Sequence, residues 1–147
     1  MRPLLFLLCS MFCVNTSAAS VYQDANGNTH VFEGRWLVVN YWAGWCIPCR
    51  HEIPAFNRLD KQLQDKGAAV LGINYDRLDD ADLLRTTEAL DITFPVLTNR
   101  SAQQLDFPFP IGLPTTYIIN PDGKIMSTLV GAQTEESILS VLASHQI

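Results

Sequence analysis

The chain has 147 residues, of which 48% are hydrophobic and 17% are charged. This length and composition supply enough apolar side chains for the core of one domain, and they exclude an intrinsically disordered chain. The formal net charge of −5 also makes nucleic acid and anionic membranes poor partners. We therefore expect no nucleic-acid partner and look for function in local chemistry.

Residues 1–19 have the pattern of a secretory signal peptide. Arg2 supplies a positive charge, the segment 4–14 is apolar, and the small residues 17–19 offer a cleavage site. The apolar segment is too short to span about 30 Å of hydrocarbon, so an uncleaved membrane anchor is the less favoured alternative. We therefore expect an exported protein with one mature domain over 20–147.

Removal of the signal peptide changes the cysteine count. The sequence has 4 cysteines, and Cys9 and Cys13 lie within the signal. Exported proteins commonly use cysteines to join distant segments, but the mature chain retains only Cys46 and Cys49. These two thiols can therefore pair only with each other or with another molecule.

The mature sequence predicts alternating strands and helices. It begins with a β-hairpin over 20–33, whose turn contains Asn26-Gly27. The predicted elements that follow are a buried strand over 36–42, a helix from about 46 to 66, a strand over 68–75, a helix over 79–90, a short strand over 94–97, two antiparallel strands over 115–119 and 124–130, and a helix over 135–143. This order predicts an α/β fold with a mixed central β-sheet flanked by helices.

Cys46 and Cys49 are three residues apart at the start of a predicted helix. Such residues lie about 5–6 Å apart, which suits a disulfide, but the bond closes so short a loop that it contributes little to stability. A structural zinc site needs four ligands, and His51 points away from Cys49 on the helix. We expect His30, His51 and His145 to be surface residues, and we expect no metal site and no bound cofactor.

A redox couple is the remaining interpretation of the two thiols. Cys46 precedes the helix, where free N–H groups and the helix dipole stabilise a thiolate. Cys49 lies one turn inside and is shielded. Position therefore predicts Cys46 as the exposed attacking thiol and Cys49 as the buried thiol that resolves the mixed disulfide.

Around these cysteines the sequence resembles a known family. The segment 45–49, Trp-Cys-Ile-Pro-Cys, resembles the thioredoxin active site, and the segments 39–46, 49–54 and 112–123 are similar to exported bacterial thiol–disulfide oxidoreductases of the TlpA/ResA type. The resemblance covers about Gly34 to Leu142. It implies a thioredoxin-like fold, a periplasmic location, and a protein-disulfide reductase whose redox group is the Cys46–Cys49 disulfide.

The resemblance also implies a substrate-binding surface. In the family, the proline matching Pro114 is cis and faces the dithiol, and the backbone matching Leu113 pairs with an extended substrate segment. The alternative is that Pro114 only begins a strand. Trp45 is interpreted as aromatic packing around the site and as part of the same surface.

Glu52 is a further catalytic candidate. Thioredoxins place a buried aspartate where this chain has Asn40, which does not titrate, whereas TlpA/ResA-like proteins carry a glutamate matching Glu52. Glu52 lies three residues after Cys49, on the same helical face. We hypothesise that burial raises the pKa of Glu52 and that its carboxylate accepts the proton of Cys49. The alternative is a solvated helix glutamate.

The residues between the cysteines predict the direction of electron transfer. Ile47-Pro48 lacks the histidine that oxidising members keep, so we expect a reductant, with a potential nearer the thioredoxin value of about −270 mV than about −120 mV. A reductant in an oxidising envelope needs electrons, so the expected partners are protein thiol or disulfide substrates and a membrane-embedded dithiol donor. We expect a monomer.

The sequence bears on three other functions. A cytochrome c maturation reductase is disfavoured because the segment 108–114 lacks the Gly-Val-x-Gly-Ala-Pro-Glu signature. A non-enzymatic metal or haem carrier that uses the thiols as ligands stays open. The chain lacks the Thr-x-x-Cys arrangement of a peroxidatic thiol, which argues against a peroxidase.

Overall fold

The computed structural model describes residues 19–147. The predicted signal peptide, residues 1–19, lies outside the described residues apart from Ala19, so it stays a prediction. None of the helices within 19–147 is both long and apolar enough to cross a membrane.

The secondary structure follows the predicted order. In chain order the elements are β1 (Tyr22–Gln23), β2 (Thr29–His30), β3 (Trp36–Trp42), α1 (Ile47–Leu63), β4 (Ala68–Asn74), α2 (Asp80–Ala89), β5 (Val96–Leu97), α3 (Asn99–Ala102), a 3-10 turn (Gln103–Leu105), β6 (Thr115–Ile119), β7 (Ile125–Val130) and α4 (Glu135–Ser144). Helix α1 ends earlier than the predicted residue 66, because residues 64–67 form a turn that Gly67 closes with a φ of 71°.

Five strands form one mixed sheet in the order β5-β4-β3-β6-β7. Strand β3 is parallel to β4 and antiparallel to β6, with Trp42 opposite Asn74 and Tyr41 opposite Thr115. The carboxyl ends of β3 and β4 and the amino end of β6 therefore meet at one edge of the sheet, which we call the dithiol edge because the chain runs from β3 into Cys46 there. The mixed α/β fold with an N-terminal hairpin is confirmed.

Both faces of the sheet are buried, which explains the nearly continuous apolar run of β3. One core lies between the sheet and its helices and includes Val38, Phe56 of α1 and Ile138 of α4. The other core, on the opposite face, includes Val39 and Tyr41. Helix α1 is thereby fixed against the sheet, and its first turn lies at the dithiol edge.

The N-terminal hairpin of β1 and β2 lies along the outer strand β5. The backbone N–H of Ala25 donates to the Val96 carbonyl at 2.8 Å, and the N–H of Thr98 donates to the Gln23 carbonyl at 3.0 Å. The hairpin therefore satisfies backbone groups that a bare edge strand would leave unpaired.

Buried Asp24 holds the turn of that hairpin. Its Oδ1 accepts from the backbone N–H groups of Asn26 and Asn28, each at 2.9 Å, and its Oδ2 lies 2.8 Å from His30 Nε2. The prediction that His30 is a surface residue is therefore wrong, because the imidazole is half-buried against this carboxylate.

Candidate active site

Cys46 and Cys49 form a disulfide at the start of α1. The S–S distance is 2.01 Å, and the Cα atoms are 5.3 Å apart. Cys46 caps the helix with an extended backbone, and the Cys49 N–H donates to Cys46 Sγ at 3.3 Å. Pro48 lies in the first turn, where its missing N–H leaves no hydrogen bond unmade. The Cys46 sulfur therefore lies at the positive end of the helix, close to a backbone donor.

Both cysteines are buried in the disulfide-bonded form. Cys46 is 3% exposed and Cys49 is 0% exposed, and both belong to the core that contains Ile53. The expectation that Cys46 is exposed is therefore wrong for this redox form, because the bonded sulfurs pack into the apolar core. The positions of the two thiols on the helix, at its cap and one turn inside, are as predicted.

Trp45 forms an exposed flank beside Cys46. Trp45 is 65% exposed, and its indole Nε1–H donates to both carboxylate oxygens of Asp76, at 3.0 Å each. Asp76 lies in the β4–α2 loop and is itself held by Asn74, whose Oδ1 accepts from the Asp76 N–H at 3.0 Å. The indole is thereby fixed on the surface next to the disulfide.

The Leu113–Pro114 peptide bond is cis. Pro114 is buried and immediately precedes Thr115, which pairs with Tyr41 of β3, so it lies at the dithiol edge. The Pro114 carbonyl accepts from the Gly131 N–H at 2.9 Å. Within the described residues, the N–H and carbonyl of Leu113 make no backbone hydrogen bond.

Glu52 is buried, with only 2% exposure, so the alternative of a solvated glutamate is wrong. Its Oε1 accepts from Asn40 Nδ2 at 2.7 Å, and its Oε2 accepts from the Gln133 backbone N–H at 2.8 Å. Burial raises the pKa of Glu52 to about 7, although these two hydrogen bonds act in the opposite direction. The carboxyl group therefore exchanges its proton near neutral pH.

The local sequence explains why Glu52 faces inward. Cys49, Glu52, Ile53 and Phe56 are all buried on one side of α1, and this side packs on the sheet. Asn40 of β3 lies under that face, and its Nδ2 also donates to Thr116 Oγ1 at 3.2 Å. The buried side chains of Asn40 and Glu52 therefore satisfy each other by a hydrogen bond.

Two contributors to this network were not predicted. Thr116 is opposite Asn40 in the β3–β6 register, and this register is seen only in the folded sheet. No sequence signal pointed to the Gln133 N–H, which lies 81 positions after Glu52 and acts through its backbone.

The histidines do not gather around the cysteines. His51 is exposed on α1, His30 contacts Asp24, and His145 is half-buried and stacks on Trp36 at 5.3 Å between ring centroids. The prediction that His145 is a surface residue is therefore also wrong, because its side chain is half-buried. Within residues 19–147, no group of three or more His, Cys, Asp or Glu side chains is arranged to hold a metal ion.

Comparison with known proteins places these features in context. The AhpC/TSA family pattern matches residues 15–128. Thiol-disulfide oxidoreductase ResA of Geobacillus thermodenitrificans (strain NG80-2) is 31% identical over 134 residues, covering 88% of this chain and 76% of the relative. ResA of Bacillus thuringiensis subsp. konkukian (strain 97-27) is 31% identical over 107 residues, covering 73% of this chain and 61% of the relative, so the chain spans less than two thirds of that protein.

Solved structures share the fold. StoA from Bacillus subtilis aligns with a TM-score of 0.69 at 20% identity, covering 84% of this chain and 95% of that chain. The exposed lipoprotein thioredoxin Etrx1 from Streptococcus pneumoniae strain TIGR4 aligns with a TM-score of 0.70 at 24% identity, covering 86% and 99%. At these identities the likeness shows a thioredoxin-like fold.

Proposed function

The chain belongs to the AhpC/TSA family, and from this we propose that it is a thiol–disulfide oxidoreductase of the ResA type that reduces disulfides in other proteins. One juxtaposition carries the proposal. The Cys46–Cys49 disulfide lies at the N-terminus of α1, at the same sheet edge as the cis Leu113–Pro114 peptide. A dithiol beside a free peptide unit can bind an extended client and exchange sulfur bonds with it.

The reaction moves two electrons from the protein dithiol to the client disulfide. The Cys46 thiolate attacks one client sulfur, the client S–S bond breaks, and the departing client thiolate takes up a proton. The Cys49 thiolate then attacks Cys46 Sγ, which releases the second client thiolate and forms the Cys46–Cys49 disulfide. The Cys49 N–H, at 3.3 Å from Cys46 Sγ, stabilises negative charge on the Cys46 sulfur.

Glu52 is proposed to accept the Cys49 proton in the second step. A base works best when its pKa lies near the operating pH, and burial raises the pKa of Glu52 to about 7. Asn40 and the Gln133 N–H hold the carboxylate in one orientation. Asn40 therefore acts as a positioning residue for Glu52.

Leu113, Pro114 and Trp45 are proposed to form the client surface. The Leu113 peptide supplies a backbone donor and acceptor, while Trp45, at 65% exposure, supplies an apolar flank beside Cys46. Main-chain hydrogen bonds of this kind are insensitive to the client's sequence.

Direction and location belong to the same proposal. Ile47-Pro48 between the cysteines favours a reductant, and residues 1–19 favour export to the periplasm. The protein would act there as a monomer that receives electrons from a membrane-embedded dithiol donor. It needs no cofactor besides the Cys46–Cys49 couple.

Trapping tests the proposal. In Cys49→Ser the mixed disulfide has no resolving thiol, so Cys46 is expected to stay bonded to its client, and mass spectrometry identifies the adduct. Cys46→Ser is the matched control and should trap nothing. Wild-type protein should also reduce insulin disulfides. Absence of both trapping and insulin reduction, together with tight metal binding through both sulfurs, would instead establish a metal carrier.

A further inference from the structure

A cavity separate from the dithiol opens at the carboxyl ends of β3 and β4. Its volume is about 180 Å³, and its lining includes Tyr41, Asn74, Arg77, Gln103 and Phe109. An apolar cavity of about 150 Å³ accommodates benzene, whereas drug-sized ligands occupy about 300–1,000 Å³. The cavity therefore suits one side chain rather than a nucleotide or another large cofactor.

Asn74 provides an unused hydrogen-bond donor in the cavity wall. The residue is 5% exposed, and its Oδ1 accepts from the Asp76 N–H at 3.0 Å. Its Nδ2 is buried and has no hydrogen-bond partner within the described residues. Buried polar groups are normally paired, but this nitrogen is covered, so an acceptor in the cavity would reach it only after a small shift of the Asn74 side chain.

Tyr41 adds a second donor. It lines the same cavity, and burial raises the pKa of its phenol to about 12. The hydroxyl group therefore keeps its proton at neutral pH.

Arg77 provides the positive charge of the cavity. Its guanidinium carbon lies 4.9 Å from the centroid of the Phe109 ring, and no carboxylate among residues 19–147 forms an ion pair with it. Its backbone is left-handed, with a φ of 54°, which is uncommon for a residue other than glycine. Asp106 also lines the cavity and, like Arg77, is exposed, so water weakens both charges without removing the effect of either.

The cavity adjoins the surface on which a client would lie. Trp45, beside Cys46, hydrogen-bonds to Asp76, which directly precedes Arg77. The Phe109 ring packs on Tyr75 at 4.5 Å between centroids and belongs to the segment that leads to Leu113. One loop thus connects the cavity to the indole, and the other connects it to the cis-proline peptide.

We propose that this cavity receives the carboxylate side chain of an acidic residue lying close to the reacting cysteine of the client polypeptide. A guanidinium and two neutral donors recognise a carboxylate, and the arginine fork matches its two oxygens. The inference rests on the proposed function and deepens it, because it adds sequence preference to a backbone contact that has none.

Peptide disulfides test the preference. In an otherwise fixed peptide, one glutamate is moved through the positions flanking the cysteine, with glutamine at the same place as the neutral partner. For wild-type protein, kcat/KM is expected to favour glutamate about three- to fivefold at one or two neighbouring positions, which corresponds to about 0.6–1 kcal/mol. In Arg77→Asn the glutamate-to-glutamine ratio should fall to about one.

The choice of variants keeps the result interpretable. Asparagine tolerates the left-handed backbone of residue 77, and Arg77→Lys should keep part of the preference because it retains the charge without the fork. Lys124→Ala removes one positive charge from the exposed β6–β7 turn and should leave the ratio unchanged. Asp106→Asn should raise the ratio.

A binding measurement separates this inference from the proposed function. The same peptides with serine in place of cysteine are titrated into disulfide-bonded protein, and the Asn74 side-chain amide resonance is followed by NMR. If glutamate improves neither binding nor kcat/KM at any position, or if Arg77→Asn keeps the preference, the inference is overturned. If the glutamate peptide binds through Arg77 but no peptide disulfide is reduced, the inference stands and the proposed function fails.

Discussion

The carboxyl group of Glu52 depends on neutral partners. Asn40 donates to it from the central strand at 2.7 Å, and the Gln133 N–H donates from the loop before α4 at 2.8 Å. Neither donor carries a charge, so neither compensates fully for the burial that favours the protonated acid. The carboxyl group therefore changes its protonation near neutral pH.

Replacing Glu52 with glutamine should flatten the pH dependence of stability. The pKa of Glu52 is about 7 in the folded protein and 4.5 ordinarily. The protonated carboxyl group therefore contributes its full stabilisation of the fold below about pH 4.5, and this contribution is lost as pH rises through about 7. That shift corresponds to about 3 kcal/mol. Urea unfolding of the oxidised protein between about pH 5 and about pH 8 should show this loss in wild type and not in Glu52→Gln.

Exposed Glu88 on α2 supplies the control, because Glu88→Gln should keep the wild-type slope. Equal slopes in wild type and Glu52→Gln would show that Glu52 is ionised throughout this range. Single-turnover client reduction should rise through about pH 7 in wild type and lose that rise in Glu52→Gln.

Replacing Asn40 with aspartate should impair the site above neutral pH. The substitution places a second carboxyl group within hydrogen-bond distance of Glu52, and two such groups cannot both ionise easily. We expect the midpoint of the pH–rate profile to move upward and the free energy of unfolding to fall by about 1–3 kcal/mol above about pH 7. Asn40→Leu, which removes the donor without adding charge, should not move the midpoint upward; an equal shift in both variants would contradict this account.

At the scale of elements, the hairpin turn is the feature that most depends on one side chain. Asp24 accepts from two backbone N–H groups, from the Asn28 side chain and from His30. Burial would raise the pKa of Asp24, but the hydrogen bonds from His30 and Asn28 hold it below its usual value. This contribution is present above about pH 4 and is lost as pH falls through the lowered pKa.

Asp24→Ala should therefore destabilise the fold by about 2–4 kcal/mol, because it leaves donors unpaired in a part-buried turn. The hairpin lies along β5, so amide hydrogen exchange should rise first at Ala25 and Thr98, whose N–H groups donate across this contact. Asp122→Ala, in the exposed β6–β7 turn, is the control. A free energy of unfolding within about 0.5 kcal/mol of wild type would show that water replaces the carboxylate without loss.

The elements with strong periodicity were predictable, whereas those without it were not. Strand β3 and helix α1 have continuous or three-to-four-residue apolar patterns, which fix their place in the fold. Helix α3 has only four residues, Asn99–Ala102, and no apolar stripe, so the sequence does not predict it. Its position depends on tertiary hydrogen bonds such as Gln23 N–H to Ser101 Oγ at 2.7 Å.

The candidate site divides in the same way. The bonding of Cys46 to Cys49 follows from spacing along one helix. The sequence predicts burial of Glu52, but its two partners, Asn40 and Gln133, come from two other segments, and distances between segments are not encoded in local pattern. Cys46 is buried because of packing across the whole dithiol edge. Its position at the start of the helix does not by itself predict this burial.

At the scale of the whole molecule, the redox state of the dithiol and the stability of the fold are linked. A protein disulfide that is hard to reduce is one whose oxidised fold is more stable than its reduced fold; strong oxidants show the opposite order. If the protein is a reductant, the Tm of the oxidised form should exceed that of the reduced form. Calorimetry with and without excess dithiol measures both, and a higher Tm for the reduced form would reverse the predicted direction of electron transfer.

Within the part of the chain that the structure describes, the two outer strands of the sheet differ in what covers them. The hairpin occupies the outer side of β5, while β7 ends the sheet on the other side with Val130 exposed. Any strand-by-strand self-association would therefore have to begin at β7. In concentrated samples, a lysine introduced at exposed Thr128 of β7 should slow such aggregation. A label or surface tether attached to β7 would block the same strand and leave the reaction of the cysteines unchanged.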